Sequence, residues 1–168
     1  MAGSTESGTP QEGRIVCLSP LAWDVMVEHA RGAAPEEACG ILVGTRTGGR
    51  REVTLAIPCS NVHPGDRRKR FLVDPEQHLA AQRGAREAGL EILGFYHSHH
   101  NGSAAMSEED LAQAHPFVSH FILAFRGGAL VQARCWRIGA EGGAAEEEIV
   151  IGSVTGGPRA ASNTSDGS

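Results

Sequence analysis

The 168-residue sequence lacks the patterns that mark membrane and secreted proteins. It has no run of about 18 apolar residues, so no segment is long enough to cross a bilayer as an apolar helix. Its first residues are small and polar, without the apolar stretch of a secretory signal peptide. We therefore expect a protein of the cytoplasm that makes no membrane contact.

Cysteine pairs at metal-binding spacing are also absent. Cys17, Cys39, Cys59 and Cys135 lie far apart, with no C-x-x-C pair. This spacing excludes a zinc knuckle and a thioredoxin-type redox motif. We expect four reduced thiols, with Cys39 packed as a small core residue rather than serving as a metal ligand or redox switch.

A strong excess of basic charge is missing as well. The formal net charge is −5 and both signs are mixed along the chain, so nothing indicates nucleic acid or an anionic membrane as a partner. The one basic cluster, Arg67-Arg68-Lys69-Arg70, is flanked by Asp66 and Asp74. We expect this cluster to be a solvated surface loop.

Length and hydrophobic content indicate one folded domain. The chain is 40% hydrophobic, and a domain near this length buries roughly 68–70% of its unfolded surface, so it needs no disulfide or structural metal to fold. Segments 1–13 and 153–168 are small, polar and rich in Gly and Ser. We expect them to be disordered tails on either side of a domain at 14–152.

Short strands and helices are expected to alternate along this domain. Apolar patterns predict strands at 15–18, 38–43, 52–57, 71–73, 91–98, 121–125, 130–138 and 147–151. Helices are expected at 20–30, from 74 to about 89 and at 107–114, beginning at the caps Ser19, Asp74 and Ser107. This order favours an α/β fold with a mixed central β-sheet flanked by helices.

The chemically informative residues lie near position 100. His97 and His99 are two positions apart at the end of a predicted strand, so their imidazoles project from the same face. Ser107 caps the next helix, which makes Asp110 its third residue and brings this carboxylate back toward the strand end. Two histidines and a carboxylate are typical of catalytic zinc sites with a fourth position for water. We predict one Zn²⁺ per chain at these residues.

Hydrolysis at a zinc ion also needs a proton carrier that does not bind the metal. Glu37 stands at the entrance of an apolar strand, where partial burial would raise the pKa of its carboxyl toward neutrality. The Ser107 hydroxyl could donate a hydrogen bond to the oxyanion of a tetrahedral intermediate. We therefore predict Glu37 and Ser107 as catalytic residues.

The full pattern resembles a known family signature. Glu37-Ala38-Cys39-Gly40, then His97-Ser98-His99, seven residues and Ser107-Glu108-Glu109-Asp110 resemble the JAMM signature of MPN-domain metallopeptidases. Gly94-Phe95-Tyr96, Asn61-Val62 and the segment 71–75 are similar to its compact bacterial branch. The resemblance spans about 14–152. It implies a single MPN domain with a cytidine-deaminase-like core, and the same zinc ligands, general acid/base and oxyanion donor.

The resemblance also implies a substrate class. Members of this branch cleave at or after the C-terminal Gly-Gly of small ubiquitin-like sulfur-carrier proteins, or remove an amino acid assembled on that end. It thus implies such a carrier as partner and a role in sulfur transfer, with cysteine biosynthesis as one of several open pathways. The sequence does not fix the oligomeric state, and a homodimer stays open. Larger relatives are deubiquitinases, so an isopeptidase for other ubiquitin-like conjugates also stays open.

Two other functions are compatible with parts of this pattern. Many MPN domains lack the metal site and act as non-catalytic scaffolds or binding modules, but all five functional positions are filled in this chain. A zinc deaminase of small molecules is disfavoured because its Pro-Cys-x-x-Cys ligand pair is absent.

One position departs from the family pattern. Most members have proline after the second histidine, where this chain has His100. Adjacent strand residues face opposite ways, so we expect the His100 imidazole to be exposed rather than to act as a spare metal ligand.

Overall fold

A computed structural model describes residues 14–152, so both predicted tails lie outside the described residues. Within this range the chain forms seven strands and three helices. They are β1 (Ile15–Leu18), α1 (Pro20–Ala33), β2 (Cys39–Thr47), β3 (Arg50–Cys59), α2 (Pro75–Glu87), β4 (Glu91–His99), α3 (Glu108–Gln113), β5 (Ser119–Arg126), β6 (Ala129–Ile138) and β7 (Ala144–Ile151).

The strands form one mixed sheet in the order β1-β3-β2-β4-β5-β6-β7. β1 pairs in parallel with both β3 and β7, and its pairing with β7 closes the sheet into a barrel. β4 and β5 are also parallel, while the other neighbours are antiparallel. A single α/β domain with a mixed sheet is confirmed, whereas the closure was not predicted.

Helix α1 covers one face of the sheet. Its cap is the predicted Ser19, whose side chain accepts a hydrogen bond from the Ala22 amide at 3.1 Å. Ala22, Met26 and Ala30 recur every four residues and are buried in the larger hydrophobic core. The helix continues past its predicted end at residue 30 and stops before Pro35, since a residue that precedes proline disfavours helical geometry.

Helix α2 covers the opposite face. Asp74 caps it, as predicted, by accepting a hydrogen bond from the Glu76 amide at 2.9 Å. Ala81 and Ala85 pack there against Ile41 of β2 in a second apolar cluster. Across residues 14–152, none of the helices has the length and apolar character that a membrane span requires.

Several predicted strands differ from the observed ones. β2 and β3 are longer than expected, because they meet in a tight hairpin at Gly48 and Gly49, whose positive φ angles of 56° and 78° suit a two-residue turn. The strand predicted at 71–73 was wrong, since only an isolated bridge joins Val73 to Asn61. This segment instead belongs to the loop that leads into α2.

Candidate metal centre

Strand β4 places two imidazoles at the centre of the sheet. It is paired on both sides, antiparallel with β2 and parallel with β5, and it ends at His99. His97 and His99 therefore project from one face, and both are buried. Ser98 points the other way, and its hydroxyl accepts a hydrogen bond from the Ala38 amide at 2.8 Å, which ties β4 to the start of β2.

Helix α3 supplies the carboxylate. Ser107 Oγ accepts a hydrogen bond from the Asp110 amide at 3.0 Å, and Asp110 Oδ2 accepts one from the Ser107 amide at 2.9 Å. This reciprocal capping box fixes the direction in which the carboxylate points. The connecting loop turns at Gly102, with φ of 79°, and the Gly102 amide donates to the Phe125 carbonyl at 3.0 Å.

Folding brings three potential ligand atoms of His97, His99 and Asp110 to one point. His97 Nε2 lies 3.1 Å from His99 Nε2 and 3.2 Å from Asp110 Oδ1, and His99 Nε2 lies 3.1 Å from Asp110 Oδ2. Ligands about 2.0–2.2 Å from a tetrahedral metal are about 3.3–3.6 Å apart, and the observed separations are close to this range, so the three atoms could hold a single small cation. Across residues 14–152, this is the one such group of three histidine, cysteine, aspartate or glutamate side chains.

The surroundings orient both rings. His99 Nδ1 donates a hydrogen bond to the Ser103 carbonyl at 2.8 Å, which leaves Nε2 as the ligand atom of the neutral ring. The His97 ring stacks on Phe71, with 4.3 Å between ring centroids. A metal would therefore meet imidazoles that are already held in place.

Protonation in the protein alone follows from burial and hydrogen bonding. Burial raises the pKa of Asp110, but hydrogen bonds from His97 and His99 outweigh it and hold that pKa well below its usual range. Burial lowers the pKa of His97, so its ring is driven toward the neutral, metal-binding form. Burial also lowers the pKa of His99, yet its hydrogen bonds to Asp110 and Ser103 leave that pKa raised. The Asp110 carboxyl is therefore ionised and lies beside the ring nitrogens of His97 and His99.

Glu37 stands beside this trio. Its side chain is buried, and Oε1 lies 3.9 Å from His99 Nε2. Burial raises the pKa of Glu37 to about 8. Its other oxygen, Oε2, is buried with no hydrogen-bond partner among residues 14–152. Buried polar atoms are normally paired, so this oxygen can accept a hydrogen bond from water or another ligand beside the group formed by His97, His99 and Asp110.

Two residues whose roles sequence analysis missed hold the backbone around Glu37. Asn61 Nδ2 donates to the Glu37 carbonyl at 3.0 Å, and its Oδ1 accepts from the Leu72 amide at 3.1 Å. His100 Nε2 donates to the Glu36 carbonyl at 2.9 Å. His100 is half-buried rather than fully exposed, and it lies outside the group formed by His97, His99 and Asp110. The family resemblance singled out Asn61 in the sequence but gave it no contact, and turn chemistry is the local signal that favours an asparagine here.

Two clefts are lined by members of the trio. The first cleft, of about 620 Å³, is lined by Glu37, His99 and Ser107. His97 and Asp110 line the other, a largely apolar cleft of about 480 Å³. Because the Ser107 oxygen accepts the Asp110 amide hydrogen bond, its own hydroxyl hydrogen can still be donated to a group in the first cleft.

The cysteines take no part in the ligand set. Cys39 is fully buried in the second apolar cluster, as expected for a packing residue, and burial raises the pKa of its thiol to about 12. All four cysteines are buried and free. A thiol held in its protonated form is a poor metal ligand and a poor nucleophile.

The chain is similar in sequence to a known family and to proteins with established names. Residues 21–139 match the family model described as prokaryotic homologs of the JAB domain. The chain is 36% identical over 99 residues to a probable TtuB-protein conjugate cleaving protease of Thermus thermophilus, covering 59% of this chain and 63% of that protein. The match thus spans less than two thirds of that relative's length.

Two further named relatives are similar over longer shares of their length. A desampylase of Haloferax volcanii is 38% identical over 101 residues, covering 58% of this chain and 70% of that protein. A CysO-cysteine peptidase of Mycobacterium tuberculosis is 31% identical over 130 residues, covering 76% of this chain and 85% of that protein.

Solved structures agree with the fold. A solution structure of a protein from Desulfitobacterium hafniense matches with a TM-score of 0.72 and 32% identity, covering 83% of this chain and 94% of that one. Another, from Salinibacter ruber, matches with a TM-score of 0.63 and 31% identity, covering 80% and 90%.

Proposed function

Since this chain belongs to the prokaryotic homologues of the JAB domain, we propose that it is a zinc-dependent peptidase. Its substrate is a small ubiquitin-like carrier protein, cut at or just after a C-terminal Gly-Gly. The observation that carries this proposal is the convergence of His97, His99 and Asp110, with the unpartnered carboxyl oxygen of Glu37 beside them.

His97, His99 and Asp110 would hold the zinc ion through two imidazole nitrogens and a carboxylate oxygen. A zinc ion bound in this way supplies a Lewis acid that activates water and polarises a carbonyl group. Three protein ligands leave room for substrate or solvent, as in catalytic rather than structural zinc sites. The donor separations of 3.1–3.2 Å support this assignment.

Glu37 is the proton carrier of the proposed reaction. Its carboxylate takes a proton from the attacking water and delivers it to the leaving nitrogen as the peptide bond breaks. Burial raises the pKa of Glu37 to about 8, so this carboxyl exchanges its proton much nearer to neutral pH than an exposed glutamate does. The separation of 3.9 Å from His99 Nε2 keeps the carboxyl next to the site without making it part of the trio.

Ser107 stabilises the oxyanion. Its hydroxyl lines the same cleft as Glu37 and has a hydrogen left to donate. A donor aimed at the developing negative charge of an acyl-transfer intermediate contributes about 3–4 kcal/mol in hydrolases. The capping box holds the Ser107 backbone, so little reorganisation is needed during the reaction.

The named relatives support the substrate class. Their names describe cleavage of TtuB-protein conjugates, desampylation and cleavage of CysO-cysteine. Two glycines before the scissile bond suit a buried reaction centre, because they allow close backbone approach without side-chain clashes. Two of the three relatives have names that describe conjugate cleavage, which favours an isopeptidase on ubiquitin-like conjugates as the second candidate.

Intact mass measurements test the proposal directly. Carriers ending in Gly-Gly and extended by a single amino acid, by a short peptide or by an isopeptide-linked lysine peptide would be incubated with zinc-loaded protein. We expect release of the extension and a carrier ending in Gly-Gly, with no release by Glu37→Gln. If no extended carrier is cut while an unrelated peptide is hydrolysed at the same site, the substrate class is wrong.

A further inference from the structure

Beside the first cleft, residues 66–70 form a tight turn that is tied to the reaction centre. The Lys69 and Arg70 amides both donate to the Asp66 carbonyl at 3.1 Å. The Arg67 carbonyl accepts a hydrogen bond from the Glu37 amide at 2.7 Å. Residues 67–70 are exposed, as expected for a surface loop, but the hydrogen bond to Glu37 gives the turn a defined position relative to that residue.

The four basic side chains of this turn differ in their ion pairs. Each arginine contacts a carboxylate, Arg67 with Glu36 at 3.4 Å, Arg68 with Asp66 at 3.0 Å and Arg70 with Glu109 at 2.8 Å. Lys69 forms no ion pair with any residue between 14 and 152. It is also the single lysine of the sequence. Among the described residues, its ammonium is therefore the one cation of this turn that is free to form an ion pair with a ligand.

Lys69 lines the same cleft as Glu37, His99 and Ser107. Glu37 gives its proton to the leaving nitrogen, so the leaving side of the substrate lies on the Glu37 side of the cleft, where the turn is attached. A single amino acid released from a carrier has a free α-carboxylate on the carbon that bears this nitrogen. A residue inside a longer peptide, or a lysine joined by an isopeptide bond within a protein, has no such charge at that place.

We propose that Lys69 binds the free α-carboxylate of the leaving residue, so that the site prefers carriers extended by one terminal amino acid. This inference rests on the proposed function and narrows its substrate class. An ammonium–carboxylate contact at the rim of a cleft selects by charge without blocking neutral substrates.

A matched substrate pair tests the role of Lys69. One carrier ends in Gly-Gly followed by an amino acid with a free carboxylate, and the other is identical except for a C-terminal amide. For the parent protein we expect kcat/KM to be roughly five- to tenfold higher for the acid, mostly through KM, as a partly exposed charged hydrogen bond allows. Lys69→Met should bring kcat/KM for the acid down to that for the amide, whereas Lys69→Arg should retain the preference for the acid.

Arg83→Met is the charge-matched control, because it removes one positive charge from the exposed surface of α2. We expect it to keep the preference for the acid. Equal cleavage of acid and amide by the parent protein, or a Lys69→Met variant that slows both substrates alike, would overturn the inference while the proposed function stands. If the zinc-loaded parent cleaves neither carrier, both the proposed function and this inference are wrong.

Discussion

His100 Nε2 lies 2.9 Å from the carbonyl oxygen of Glu36. The contact joins the residue after His99, at the end of β4, to the residue before Glu37. Most members of the family that this sequence resembles have proline at this position, and proline carries no side-chain donor. This chain thus has a side-chain link between the end of β4 and the backbone next to Glu37.

The first prediction concerns that link. His100→Ala should lower kcat by about two- to tenfold, the range expected for one net hydrogen bond, because the Glu37 backbone loses a support. KM and bound zinc should not change, since His100 lies outside the ligand trio. Steady-state kinetics and metal analysis measure both. His100→Gln keeps a donor and should recover part of the rate; an equally slow Gln variant would argue against the hydrogen bond.

The second prediction separates proton transfer from metal binding. Glu37→Gln should keep bound zinc and lose about 10²–10⁴-fold in kcat, because the amide cannot shuttle a proton. The variant nearly preserves side-chain volume, so the cleft should stay intact. Single-turnover cleavage and zinc content would be measured on the same sample. Activity close to that of the parent would exclude Glu37 as the proton carrier.

The third prediction concerns the pH dependence of stability in metal-free protein. Burial raises the pKa of Glu37 from 4.5 to about 8 on folding. Between these values the folded state holds a proton that the unfolded chain has released, so this carboxyl lowers stability as pH rises through that window. Glu37→Gln should therefore become progressively more stable than the parent from about pH 4.5 to about pH 8.

Denaturant unfolding of chelator-treated protein at several pH values measures this difference. Glu87→Gln, an exposed carboxyl near the end of α2, is the control and should track the parent across the range. A constant difference between Glu37→Gln and the parent at all pH values would contradict the raised pKa.

The fourth prediction concerns removal of the metal. A chelator should abolish cleavage and lower Tm, and zinc should restore both, because a ligand at 1,000 times its Kd stabilises the folded state by about 4 kcal/mol. His99→Ala should lose the zinc-dependent rise in Tm, while His63→Ala, outside the trio, should keep it. Thermal unfolding with and without zinc makes the comparison. A full zinc response in His99→Ala would place the metal elsewhere.

The fifth prediction explains a glycine of the signature. Gly40 faces the Tyr96 ring across the β2–β4 pair, and a Cβ at this position would also lie 2.6 Å from the Ile57 carbonyl oxygen. Gly40→Ala should therefore destabilise the fold by about 1–3 kcal/mol through overpacking. Gly84→Ala, in α2 with open space around it, should stabilise by about 0.5–1 kcal/mol. Chemical denaturation measures both, and two equal effects would contradict the contact.

Local signals account for the parts of the fold that sequence reasoning predicted. Ser19, Asp74 and Ser107 cap their helices in the structure because a cap needs only residues within one turn. Long apolar runs such as that in β4 also stand out in a short window. The strand predicted at 71–73 failed for the opposite reason, since a strand needs a partner and this segment has one isolated bridge.

By itself the sequence determined which side chains are available for the site and which face of a strand or helix each occupies. Only the tertiary structure decided which of them meet. Asn61 with Glu37, His100 with Glu36, Lys69 at the cleft and the β1–β7 closure all join residues distant in the chain. Such contacts depend on how the elements pack, because no local pattern of polarity or spacing specifies a partner so far away along the sequence.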